Sequence, residues 1–382
     1  MEIIEVRRPG EKKGPRALLL FSGGLDSVLA GKVLEEQGIE IVGVTFRSQF
    51  FGAEGAIKAA QELGWPLLVV DISREQIRIV EQPKYGFGRN MNPCLDCHGQ
   101  MARIAGGLLG KYQADFVATG EVVGERPMSQ NRQALSIVEK LSGIKGLVLR
   151  PLSAKLLAVT LPEEKGLVDR EKLLDIFGRS RKRQLELAEK YGIKEYPTPS
   201  GGCLLTDPGF SAKLKELLKW RGKLLAEDID LILSGRVFFE KEGLIVIGRN
   251  EQENENILRK ALGWDVVITT AKIKGPLTVV RLKETVRKEA VSAGYVEEKD
   301  YDQGKRSSDL SRVGLLFQES RKGAEENDGL GKLLALQVIK KACLLTIRYS
   351  KARSQQQAEV AILWQGKSNR KEFLRVEWEK YL

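Results

Sequence analysis

At 382 residues, with 42% hydrophobic and 30% charged side chains, the chain is long enough for about two or three domains with buried cores. No apolar run reaches membrane-spanning length and the N-terminal MEIIEVRRPGEKK lacks a secretory h-region, so a cytoplasmic protein with no membrane partner is expected. Four cysteines are too few for a disulfide scaffold, and a single histidine, His98, excludes HExxH and polyhistidine metal centres. The net charge of +11 points toward a polyanionic partner.

Apolar runs alternate with helical patterns through the first part of the chain. Strands are expected at Ala17–Phe21, Glu40–Thr45, Pro66–Val70, Phe116–Thr119 and Leu147–Leu149. Helices are expected near Asp26–Gln37, Glu54–Leu63, Leu95–Tyr112 and Ser129–Leu141. Repeated strand–helix units predict an α/β fold with a doubly wound parallel sheet covered on both faces. Ligands in such sheets bind at the carboxyl ends of strands, where Ser22–Ser27, Phe46, Asp71 and Gly120 would converge. This first domain is placed at residues 1–150.

A helical segment, residues 151–225, follows, with helices predicted at Asp169–Phe177, Arg181–Tyr191 and Ala212–Trp220. The glycine-containing loop Pro197–Cys203 lies between the last two. A smaller mixed α/β region, residues 226–382, begins with β-like runs at Arg236–Glu240 and Leu244–Gly248 and a helix at Asn254–Leu262. It carries a polar run, Lys299–Ser311. Basic residues lie among aromatics there (Arg348, Tyr349, Lys351, Arg353, Trp364, Lys367, Arg370, Lys371), a composition suited to RNA and equally to a solvated rim over a core.

Ser22-Gly23-Gly24-Leu25-Asp26-Ser27 joins the first predicted strand to the first helix. Glycines let the backbone approach a ligand, and the free N–H groups of a first helical turn point at it, which makes an anion site. Ser22 and Ser27 add hydroxyls, and Asp26 can hold magnesium against phosphate oxygens. The Walker A spacing is absent.

Cys94 and Cys97 form a C-x-x-C pair, and Cys203 lies far downstream. With His98 or Cys343 these cysteines can complete a zinc site; three thiolates alone can hold an iron–sulfur cluster with one open iron. Without metal, Cys94 and Cys203 can act as persulfide carrier and resolving thiol. Cys343, inside Ala342-Cys343-Leu344-Leu345, is expected in a core.

SGGLDS resembles the pyrophosphate loop (PP-loop) of the N-type ATP pyrophosphatases. Joined to Asn92-Pro93-Cys94-Leu95-Asp96-Cys97 and Gly201-Gly202-Cys203, it resembles the tRNA thiouridine synthetases, and more closely the 2-thiouridylase-like branch. Ala118–Gln130, Leu149–Leu157, Val168–Gln184 and Pro199–Ser211 carry the resemblance on, from about Ala17 to Trp220. Ile247–Asn254 looks like the opening of an NFACT RNA-binding domain. Ahead of Ala17 nothing resembles the ferredoxin-like and THUMP region of 4-thiouridine synthetases, so the target uridine stays open.

The resemblance implies adenylation of a uridine carbonyl by ATP with Mg2+, followed by replacement of its oxygen with sulfur. Ser22, Gly23, Gly24, Asp26 and Ser27 would hold phosphates, and Phe46, Thr119 and Gly120 would meet adenosine. Cys94, Cys97 and Cys203 would ligate a 4Fe–4S cluster; Zn2+, or a metal-free persulfide at Cys94 and Cys203, is the alternative. Arg126, Arg150, Lys155, Arg179 and Arg181 are candidate phosphate contacts, Asp71 a magnesium ligand or helix cap, and His98 receives no catalytic role. Expected partners are tRNA, a sulfur donor (free sulfide or a cysteine desulfurase relay) and a second copy of the chain. Two other functions fit the motifs less fully: sulfur insertion into a small molecule or cofactor precursor, and a zinc-stabilised RNA-binding protein.

Overall fold

The computed structural model of the protein describes residues 2–194, 202–292, 337–364, 367–374 and 377. Most of the Pro197–Cys203 loop and the whole Lys299–Ser311 run lie outside them. The chain divides into two compact units, Met1–Ser211 and Ala212–Leu382.

The first unit is built on β1 (Ile3–Arg7), β2 (Arg16–Leu20), α1 (Leu25–Glu35), β3 (Glu40–Arg47), α2 (Glu54–Leu63), β4 (Leu67–Asp71) and α3 (Ser73–Glu81). It continues with α4 (Cys94–Leu108), β5 (Phe116–Thr119), α5 (Arg132–Ser142), β6 (Val148–Leu149), α6 (Leu161–Glu164) and α7 (Lys182–Lys190). The sheet order is β1-β4-β3-β2-β5-β6, parallel except for β1, which runs antiparallel to β4 along the edge. Alternate residues of β2 supply both faces. Ala17 and Leu19 pack with Val28, Leu29, Ala60 and Ala188 on one side, while Leu18 packs with Val42, Leu68, Ile104 and Leu108 on the other. Burial on both faces is why these strands read as continuous apolar runs. The fold is therefore the expected doubly wound parallel sheet.

Chain order among the parallel strands reverses between β2 and β5. Connections leave these two neighbours in opposite directions, which opens a crevice above their carboxyl ends. Ser22–Ser27 follows β2, and Gly120 follows β5. Local chemistry sets the nearby boundaries. α5 starts where Asn131 accepts a hydrogen bond from Ala134 N (2.8 Å), and it stops at Gly143 with φ +73°.

Two segments depart from the sequence reading. Asp169–Phe177 is not a helix: one 3-10 turn at Arg170–Lys172 is capped by Asp169, and the chain then extends. Leu174 N bonds Pro151 O (2.9 Å) and Ile176 N bonds Leu152 O (2.8 Å), so tertiary pairing takes the donors a helix would have used. α4 also ends at Leu108 rather than Tyr112, with Gly106, Gly107 and Gly110 in or beside its last turn.

α8 (Pro208–Arg221) begins in the last residues of the first unit and leads into α9 (Ala226–Ile232), β7 (Arg236–Phe239), β8 (Gly243–Ile247) and α10 (Glu251–Lys260) of the second. After them come β9 (Val266–Thr270), β10 (Thr278–Leu282), α11 (Glu284–Ser292), α12 (Gln337–Arg348), β11 (Gln357–Trp364) and β12 (Lys367–Leu374). The strands form an antiparallel sheet of order β12-β11-β9-β10-β8-β7, with α12 packed on one face. Cys343 is fully buried in that core, as expected of a cysteine inside an apolar run. Arg281, also buried, bridges Asp228 (3.0 Å) and Asp265 (2.7 Å), and Asp228 is shared with Arg221. The Ile247–Asn254 stretch is the β8–α10 turn, where Asn250 caps α10 by accepting from Glu253 N (2.9 Å). Among the described residues no helix is long and apolar enough to cross a membrane.

Candidate active site

The Ser22–Ser27 loop turns tightly because Gly23 adopts φ +75° and lies against the start of α2. A Cβ there would meet Gly55 O at 2.6 Å, so only glycine fits. Ser22 Oγ accepts from Gly24 N (3.3 Å), and Ser27 Oγ donates to Gly24 O (2.8 Å), which braces the turn. Gly120 approaches from β5, and a Cβ there would stand 2.5 Å from Ser27 N. Backbone therefore packs on backbone at the crevice, and the first turn of α1 faces the space above the strands with its unpaired N–H groups.

Asp26, in that first turn, is surrounded by charge. Arg181 Nη2 lies 3.8 Å from Asp26 Oδ2, and Asp26 Oδ1 is buried without a hydrogen-bond partner. Burial raises the Asp26 pKa against the opposing pull of Arg181 and Arg126. Glu125 is raised too, first by burial and then by repulsion from Asp26. Two carboxylates and two guanidiniums therefore gather at the mouth of the loop.

The cysteines occupy the same unit. Cys94 opens α4, Cys97 is buried one turn later and donates to Gln76 Oε1 (3.3 Å), and Cys203 precedes a 3-10 turn at Leu204–Thr206. None is in a disulfide. Burial raises the pKa of all three thiols, Cys203 to about 11. Cys94 and Cys203 lie near enough to Cys97 to push it up further by charge. Arg126 acts on Cys94 in the opposite direction, and it is the same guanidinium that acts on Asp26. Among the described residues no three His, Cys, Asp or Glu side chains are grouped as ligands of one metal ion.

Comparison with known proteins bears on this arrangement. The family described as Thiamine biosynthesis protein (ThiI) matches residues 13–155, the stretch from before β2 to beyond β6. That match covers less than half of the chain. A tRNA-specific 2-thiouridylase MnmA of Symbiobacterium thermophilum is 28% identical over 80% of this chain and 77% of its own length. A protein of the same name from Amoebophilus asiaticus is 27% identical over 62% of this chain and 63% of its own. A solved 4-thiouridine synthetase–RNA complex with bound ATP is 23% identical, covering 54% of this chain and 50% of that one, with a TM-score of 0.33.

Within the first unit, several sequence candidates have other employment. Arg150 is buried and bonds Glu121 Oε2 (3.0 Å) and Leu135 O (3.4 Å), so it is not a free phosphate contact. Lys155 pairs with Glu171. Asp71 accepts from Ser73 N (3.0 Å) just ahead of α3 and pairs with Arg47 (2.9 Å), so its oxygens are engaged, while Ile72 holds the N-cap position itself. Phe46 is buried in the core with Val44 and Leu68; the polar groups of its segment belong to Arg47 and Ser48, which line a depression with Phe51 and Glu54. Thr119 is buried and donates to Glu121 Oε2 (3.2 Å). Arg179 and Arg126 are exposed, whereas Arg181 is half-buried against Asp26.

Sequence reasoning missed Glu125 and Glu121. Burial pushes the Glu121 carboxyl up, but Arg150 and His98 outweigh it and hold the group down at about 2. His98 Nδ1 lies 3.0 Å from Glu121 Oε1, so His98, a turn beyond Cys94 on α4, is tied to the strand that bears Thr119. Both glutamates lie within the Ala118–Gln130 motif, but nothing in the string distinguishes them from surface acids.

Proposed function

We propose that the chain is an ATP-dependent tRNA sulfurtransferase that adenylates a uridine carbonyl and replaces its oxygen with sulfur. The observation that carries this is the tight Ser22–Ser27 anion loop, held against Gly120 at the carboxyl ends of β2 and β5, in the same unit as the unpaired thiols of Cys94, Cys97 and Cys203. A phosphate-binding loop and a set of thiols in one folded unit are the groups that activation followed by sulfur attack requires. The MnmA relatives, named as tRNA-specific 2-thiouridylases, support the same reading.

In the first step the uridine oxygen attacks the α-phosphorus of ATP and pyrophosphate leaves. N–H groups of the first α1 turn, Ser22, Arg181 and Arg126 receive the charge that develops on the departing phosphates. In the second step hydrosulfide adds to the activated carbon, the C–O bond breaks, and AMP departs with the oxygen. Asp26, with its unpartnered Oδ1, and Glu125 are suited to hold Mg2+, which supplies charge neutralisation at the phosphates. Cys94, Cys97 and Cys203, all unpaired thiols, would be the residues to hold a 4Fe–4S cluster, which would supply sulfur as hydrosulfide. Their raised pKa values mean that each must give up a proton on ligation. Target uridine, sulfur donor and any RNA-binding role of the second unit belong to the same proposal.

The test uses protein purified without oxygen, assayed for iron, acid-labile sulfide and visible absorption, then for thiouridine in tRNA given ATP and sulfide. About four iron and four sulfide per chain, lost in Cys94→Ala, with ATP-dependent thiolation, is the expected result. One zinc and no thiolation would refute it in favour of an RNA-binding protein. Thiolation without metal would replace the cluster with the Cys94–Cys203 persulfide pair.

A further inference from the structure

The connection between α3 and α4, Gln82–Pro93, places two aromatic rings in solvent beside the cysteines. Tyr85 is 38% exposed and Phe87 43% exposed, in a domain whose other large aromatics are mostly buried. The loop is nonetheless well anchored. Asp96, buried in the first turn of α4, accepts from Lys84 N (3.2 Å) and Tyr85 N (3.0 Å). Gly88 N bonds Asn92 O (2.8 Å), and the Met91 and Asn92 side chains are buried. Asn90 Nδ2 donates to Thr206 O (2.7 Å), and Thr206 N bonds Cys203 O (3.0 Å). The loop is thereby pinned at one end to the helix of Cys94 and at the other to the turn of Cys203.

Such bracing costs chain entropy and leaves two apolar rings wet, which makes sense if the rings meet a ligand. Charge identifies that ligand. Gln82–Leu95 contains Lys84 and Arg89, both exposed, and no acidic residue until the inward-facing Asp96. Lys84 Nζ lies 5.9 Å from the centre of the Tyr85 ring. Exposed aromatics between cations, on a rigid loop, match the faces and phosphates of unstacked nucleotides. Chemistry on a base edge also requires the base to leave its stack, and a stacking surface near the reacting atoms offsets that loss.

We infer that Tyr85 and Phe87 form a stacking platform for single-stranded RNA, holding nucleotides that flank the target uridine against the cysteine site. This rests on the tRNA reading above and adds to it how the RNA is held. Specificity for an unstacked loop over a duplex follows, because a paired base has no free face to offer the rings.

The experiment measures binding of the full chain to fluorescein-labelled oligouridylate and to a tRNA transcript at several salt concentrations. Tyr85→Ala with Phe87→Ala should weaken oligouridylate binding by roughly ten- to a hundredfold while leaving its salt dependence unchanged, since no charge is removed. Tyr85→Trp with Phe87→Trp should restore it. ATP binding, read by calorimetry, should match the wild type in all variants and controls for folding. A double alanine variant that binds oligouridylate as the wild type does overturns the platform, and with tRNA thiolation intact leaves the sulfurtransferase reading standing. A variant that changes only self-association of the chain overturns it in favour of a protein contact. A wild-type protein with no affinity for either RNA overturns both readings together.

Discussion

Gly120→Ala isolates the close approach at the crevice. The new Cβ would stand 2.5 Å from Ser27 N, 2.6 Å from Asp26 C and 2.7 Å from Ser27 Cα. These are backbone atoms, so no side chain can rotate away. Ordinary contact begins near 3.4 Å, so β5 and the first turn of α1 must separate by about 0.9 Å, the difference between 3.4 and 2.5 Å. Overpacking of this kind costs about 1–3 kcal/mol. For a unit of this size that is a fall in Tm of roughly 2–4 °C per kcal/mol. The larger effect is on chemistry, because a 1 Å misplacement of a positioned group costs about a hundredfold in rate. The assay is RNA-dependent pyrophosphate release from ATP, with thermal unfolding alongside. Gly107→Ala is the control: Gly107 is an exposed position of α4 with nothing within 4 Å of its Cβ, and the change should stabilise by about 0.5–1 kcal/mol with unchanged turnover. Gly120→Ala protein with full turnover and wild-type Tm would refute the reasoning that the two backbones hold each other in register.

The other predictions concern single groups. Cys203→Ala should abolish thiolation while ATP binding persists, because Cys203 lies outside the PP-loop; loss of ATP binding would refute that separation. Asp26→Asn should reduce pyrophosphate release at least tenfold while leaving iron content unchanged, checked by the release assay and by metal analysis. Glu121 is held at about 2 against an ordinary 4.5, so its contribution to stability is complete above pH 4.5 and is lost as pH falls toward 2. Acid unfolding followed by circular dichroism should therefore be shallower across that window in Glu121→Gln, and an identical slope would refute the assignment. Arg281→Met leaves Asp265 buried without a cation, which costs about 3–5 kcal/mol and should lower the urea midpoint of the second unit's unfolding.

Much of the site was legible because its chemistry is local. A strand, two glycines and a helix start must be contiguous to make the anion loop, so SGGLDS announces the turn and the use proposed for it. Alternation of apolar runs with helical periods announced the doubly wound sheet. Strands buried on both faces need continuous apolar sequence, and the crossovers between them need helices. Core burial of Cys343 followed in the same way from its neighbours.

What only the tertiary structure decided depends on partners far away in sequence. β1, largely exposed at a sheet edge, has too little apolar pattern to be read, and β4 supplies its ladder. Asp169–Phe177 has a helical start, yet Pro151 and Leu152 claim its backbone donors. Arg150 looks like any cation until Glu121 is seen beside it, and Glu125 like any surface acid until burial, and then Asp26, raise its pKa. Nothing in the string singles out Tyr85 and Phe87; their exposure follows from Asp96, Asn90 and Thr206 holding the loop that carries them. Residue type and spacing determine a strand, a turn or an anion loop, because those rest on contiguous backbone. Which polar groups are free for chemistry is settled only when folding has assigned each its partner.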